Sequence, residues 1–339
     1  MAIASASIEE HPHPHPRTAW LFGGCACVVI IAACLLAGFT PIAFSIATVF
    51  LFAGPHNWFE ARYFMTRMPP RWGRLRTYFL IGLGGVPLLA AAMIILPNAV
   101  DATGGGRESW LIALALWNSA LVLWIATLAS MRSQQNPQRT WPWLWPAALA
   151  LIAAAWLWPS GWSLGLVYLH PLLALVFLDI EIGRRKPELR TTYRACLALV
   201  PVAIALLAWR LAAAPNLPGD DVLTGEITRH AGAGILSQVS THFLVSTHTF
   251  LEMLHYGVWC LALPLVALNA APWKLDGVPL ARKSSAWKMT LAVVLLTGLL
   301  VVALLWIGFA IDYPLTRSVY FTIALLHVLA EFPFLLRLV

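Results

Sequence analysis

Apolar residues in this chain come in long blocks separated by short polar stretches. They do not follow the strict alternation of a half-buried strand or the one-sided stripe of a surface helix. Ten apolar runs can be drawn, at about 19–38, 41–63, 77–97, 109–130, 141–159, 161–182, 194–213, 240–268, 286–310 and 315–337. At 1.5 Å per residue, about 20 helical residues cross a hydrocarbon layer of about 30 Å. The pattern therefore predicts an all-α integral membrane protein, a single bundle of about ten transmembrane helices. The breaks are short and polar, as in Asp101 to Gly106 and Asn216 to Thr228. Residues 222–245 are only moderately apolar and are expected to form an amphipathic helix on the outer surface, leading into the eighth span.

Composition agrees. The chain is 60% hydrophobic and only 11% charged, with a mean hydropathy of +0.76, where soluble domains carry about 25% charged residues. A net charge of +7 would suit a nucleic-acid partner, but the basic residues lie between the apolar runs and no such partner is expected. With the N-terminus inside, eighteen of the 22 Lys and Arg fall on the inner side, leaving Arg107, Arg210, Arg229 and Arg317 outside. That asymmetry predicts both termini in the cytoplasm and a bacterial inner-membrane location. The domain reading is a disordered cytoplasmic tail over 1–18, with its His-Pro repeat at 11–16, followed by a polytopic domain over 19–339. The five cysteines all lie in apolar runs and read as packing residues. Tryptophans 141, 143, 145, 156 and 158 flank the fifth run, where an interfacial belt belongs. Arg62, Arg67, Arg71, Arg74 and Arg76 read as inner-interface anchors, and Asp179 with Glu181 as a solvated helix end.

Against this background the ionisable residues inside the apolar runs carry the chemistry. Burying such a group at membrane depth costs about 2.5–3.5 kcal/mol on insertion scales, so it normally has a partner and a function. His248, Glu252 and His255 follow one another at i, i+4 and i+7 and share one helix face. The His-to-Glu spacing of four recurs at His56 and Glu60 and at His327 and Glu331, and His170 adds a fourth helix. The candidate metal ligands are His56, His170, His248, Glu252, His255, His327 and Glu331. Glu60, Glu252 and Glu331 are the candidate catalytic groups. Imidazole with carboxylate suits iron, manganese or zinc, and ligands spread over several helices leave coordination positions open. Asn57, Tyr256 and His242 are candidates for the surrounding shell, and Asp179 is excluded because it falls on the face opposite His170.

The segment Gly54-Pro55-His56-Asn57-Trp58-Phe59-Glu60 resembles the opening motif of the bacterial Brp/Blh carotene-cleaving membrane oxygenases, a family that holds iron with intramembrane histidines on several helices. The resemblance covers seven residues. The chain departs from that family in having more spans and Glu where further His would stand, so neither residues nor substrate carry over.

The sequence thus leads to an integral-membrane metal-dependent oxygenase, hydroxylase or desaturase, with iron as the expected metal. Its substrate would be a lipid, an isoprenoid or carotenoid, or another apolar small molecule, and a redox partner is a further expectation. Two other classes use the same residues: a haem- or metal-binding electron-transfer or assembly protein, and a proton-coupled transporter.

Overall fold

A computed structural model describes residues 16–135, 140–219 and 221–338. Every regular element among them is a helix. The His-Pro repeat at 11–16 lies outside the described residues save for its last proline. Thirteen α-helices follow one another: α1 Pro16–Phe39, α2 Pro41–Arg67, α3 Arg76–Ala102, α4 Arg107–Gln135, α5 Leu144–Leu157, α6 Pro159–Arg185, α7 Arg190–Leu197, α8 Leu199–Leu211, α9 Val222–His230, α10 Thr241–Gly257, α11 Leu263–Ala267, α12 Ser285–Ile311 and α13 Tyr313–Leu338. Counting α7 with α8 and α10 with α11 as continuous spans, nine of the described helical segments are long and apolar enough to cross a membrane. A membrane bundle is the architecture that these segments support.

The fifth expected run is the exception. Its helix, α5, has 14 residues, about 21 Å, short of the roughly 30 Å hydrocarbon layer. The chain turns at Trp158 (φ −151°, ψ 74°), and Pro159 then starts α6 at a position where its missing N–H costs nothing. Trp143, Trp145, Trp156 and Trp158 remain exposed around α5, as an interfacial belt requires.

α10 is the axis of the bundle. It packs against α1, α2, α6 and α8, and it is the most buried of the nine spans. α13 closes the other side against α2, α3, α4, α6 and α12. The core between them is aromatic. Tyr63, Phe64, Phe177 and Trp259 interlock edge to face or tilted, and Phe64 stacks on Phe334 at 4.2 Å.

Two expectations change. The segment at 222–245 is not one surface helix: α9 is short, capped by Asp221, and buries Ile227 and Thr228 beside α10. Glu181 is no solvated helix end either. It is fully buried, accepts a hydrogen bond from the Tyr63 hydroxyl at 2.9 Å, and pairs with Arg67 and Arg185. Asp179 is held by Arg190 and Arg194 away from the histidines.

Candidate metal centre

Four histidines from four helices meet in the bundle interior: His56 on α2, His170 on α6, His255 on α10 and His327 on α13. A helix irregularity adjoins each helix's contribution. Pro55 precedes His56, Pro171 follows His170, and Pro333 lies two residues beyond Glu331 on α13. Directly after α10 the chain runs through a π-helical turn at Val258–Ala262. Proline removes a ladder hydrogen bond and a π turn widens the helix, so backbone and side chain can both be re-aimed at these places.

The ligand-atom spacings decide what the cluster can do. Nε2 of His56 and Nε2 of His327 lie 3.5 Å apart, and Nδ1 of His170 lies 3.1 Å from Oε2 of Glu331. Two ligands about 2.1 Å from a tetrahedral ion sit roughly 3.4 Å from each other. Both pairs match that spacing. His56, His255 and His327 form one group whose ligand atoms all lie within 4.8 Å, and His170, His255 and Glu331 form another. His255 belongs to both.

The surroundings supply few competing partners. Nδ1 of His56 contacts the Phe52 carbonyl at 2.8 Å. Donation to that carbonyl places the proton on Nδ1 and leaves the Nε2 lone pair facing the cluster, the usual orientation device for a metal-bound imidazole. Neither ring nitrogen of His255 makes a well-aligned hydrogen bond, nor does Nδ1 of His327, and all three are buried. Both oxygens of Glu60 are likewise buried and unbonded, with the Glu331 carboxyl as a neighbour. Buried polar atoms are rarely left so, and an ion at the centre would satisfy several of them together.

His248 and Glu252 stand apart from this group, in an adjoining polar layer. Oε1 of Glu252 accepts from the Tyr256 hydroxyl at 2.9 Å, and Oε2 lies 3.9 Å from His248 Nδ1. The His248 ring meets His230 of α9 at 5.0 Å between centroids. Desolvation of the His230 ring, helped by the nearby His248 and Arg317, holds its pKa well below the usual histidine range. The Tyr168 hydroxyl reaches the carbonyls of Ala231 and Leu244 at 2.9 and 3.0 Å, tying α6 to the α9–α10 junction. Cluster and layer line one cavity of about 830 Å³, with an apolar wall from α3, α4, α6 and α13. That size falls among small-molecule sites. His242 does not line it.

His230 and Arg317 escape the sequence reading. His230 lies in a segment of mixed polarity, and Arg317 looks like one of four charges near loops. Only the fold turns them inward.

No family model, curated protein or solved structure matches the chain. The resemblance at Gly54–Glu60 therefore rests on those seven residues.

Proposed function

We propose that the chain is an integral-membrane metalloenzyme that oxidises an apolar chain, with His56, His170, His255, His327 and Glu331 holding a non-haem metal ion. The observation that carries this reading is the convergence of four imidazoles from four helices, at ligand spacing, in a cavity with an apolar wall. Neutral imidazoles with one carboxylate suit iron, manganese or zinc. A metal held this way, with a position left open, would activate O2 or water beside a substrate that lies against the wall. Iron with O2 is the version we favour, because oxidation of unactivated carbon needs a redox metal; electrons then come from a redox partner. Glu252 with Tyr256 would pass protons between the centre and the polar layer, and Glu60, one helical turn beyond His56, would exchange them with the centre.

Haem fits the site poorly. His56 and His327 face each other, but the His255 and His170 rings come within 5.3 Å of His56 and 5.2 Å of His327 respectively, where a porphyrin plane would have to pass. The polar layer does favour a second reading as a proton pathway, since His and Glu side chains continue from the cluster to α9.

Metal content and an optical spectrum of the detergent-purified chain and of His255→Ala test the proposal. Stoichiometric iron without a Soret band, lost in the variant, is the expected result. A Soret band would move the protein to the haem class. Folded protein without any metal would overturn the metal centre and leave the proton pathway.

A further inference from the structure

The cavity has two chemically different ends, and the metal centre uses only one. At the other end, against α9, stands Arg317. It is 5% exposed, its Nε is sealed from solvent without a partner, and among the described residues it makes no hydrogen bond or ion pair. Its guanidinium lies over the Phe321 ring at 4.6 Å. Glu252 and Glu226 act on it only across a distance, and Glu252 is already engaged by Tyr256. A guanidinium taken out of water without a close counter-charge is costly, and within a membrane bundle such a group normally faces a substrate path. Its planar fork matches an oxyanion with two parallel hydrogen bonds. Arg229, exposed at the same end of the cavity, adds a second positive charge there.

The distance to the imidazoles is set by one helix. Arg317 and His327 are ten residues apart on α13, roughly 15 Å along its axis. Between them Phe321, Thr322 and Leu325 line the cavity, faced by Leu166, Leu169 and Leu173 of α6. A head fixed at Arg317 therefore leaves an apolar path that ends at the cluster.

We infer that the cavity binds a long-chain amphiphile with an oxyanion head, a carboxylate or a phosphate, with Arg317 clamping the head and the chain lying along α13 towards the imidazoles. The position of oxidation rests on the metalloenzyme reading. Binding of the head does not.

The experiment measures binding of oleate, oleyl phosphate and oleyl alcohol to the purified full-length chain, in wild type, Arg317→Gln, Arg317→Lys and His327→Ala. In wild type, oleate or oleyl phosphate is expected to bind at least ten times tighter than the alcohol, and which of the two does so identifies the head. Arg317→Gln should bring that ratio close to one while keeping alcohol binding, which shows that the cavity is intact. His327→Ala should lose metal and keep the ratio. A wild-type ratio near one, or a ratio unchanged in Arg317→Gln, would overturn the inference and leave Arg317 as an internal counter-charge for Glu226 and Glu252. Should Arg317→Gln fail to bind even the alcohol, Arg317→Lys decides, since losing the fork must lower the ratio. A wild-type chain that holds no metal yet still shows the ratio would sink the metalloenzyme reading alone.

Discussion

Nδ1 of His170 and Oε2 of Glu331 lie 3.1 Å apart across the α6–α13 interface, yet make no well-aligned hydrogen bond. Two polar atoms this close and this poorly aligned suit a shared third partner better than each other. A buried carboxylate with no partner would also weigh against folding. Glu331→Gln is therefore expected to lower metal affinity at least tenfold, the scale on which metal sites respond to losing a supporting carboxylate. The metal-free variant should melt no lower than metal-free wild type, because no aligned hydrogen bond of Glu331 is lost. Metal titration and thermal unfolding of both proteins check this. Unchanged affinity would remove Glu331 from the site.

Glu181 holds the opposite kind of carboxylate, buried and fully engaged by Tyr63, Arg67 and Arg185. Glu181→Leu strands these donors. Arg185 reaches solvent, but the Arg67 Nη2 that faces Glu181 is sealed, so the cost is that of a broken buried pair, about 3–5 kcal/mol. Thermal unfolding should show that loss, while metal content stays at the wild-type level.

Gly85→Ala tests the close packing of α3 on α4. An added Cβ would overlap Nε1 of Trp124, whose N–H donates to the Ile81 carbonyl at 2.9 Å. Alanine favours a helix by about 1 kcal/mol over glycine, but the overlap forces the indole to move and break its bond. We expect a net loss of about 1–2 kcal/mol, read as a lower melting temperature. An alanine variant as stable as wild type would show that Trp124 repacks freely.

The α9 cap responds to pH in one direction. Oδ1 of Asp221 accepts from the Thr224 backbone N–H at 2.7 Å, and the Thr224 side chain first, with that backbone bond, holds the carboxyl below its usual range. The stabilisation is present above the unfolded pKa of about 3.9 and is lost as pH falls through the lower folded value. Amide protection in α9, taken relative to the intrinsic exchange rate at each pH, should therefore fall at acid pH in wild type. In Asp221→Asn, which keeps an acceptor but cannot titrate, the cap should add no such acid dependence.

The sequence shows most of the bundle, because a run of about 20 apolar residues has few other uses. The cluster histidines were visible for the same reason: an ionisable side chain stands out in an apolar run. Their partners were not. The spacing of four pointed Glu331 at His327 on its own helix, whereas the packing of α6 against α13 gives it His170. Glu181 looked solvated because three basic residues follow it, but a hydrophilic neighbourhood in sequence does not fix the direction of one side chain. Arg317 read as a loop charge because it sits near the start of its run. The π turn after His255 has no residue signature, since it depends on how α10 fits between α2 and α6.

The four imidazoles are also far apart along the chain, and 271 residues separate His56 from His327. During synthesis the first histidine emerges long before the last, so neither ligand triplet is complete until the final helix has been made and packed. Metal capture would then report that α13 has packed, and a bound ion would hold α13 to the earlier helices. A chain stopped before α13 would carry three of the four histidines and still lack the closing partner of each triplet.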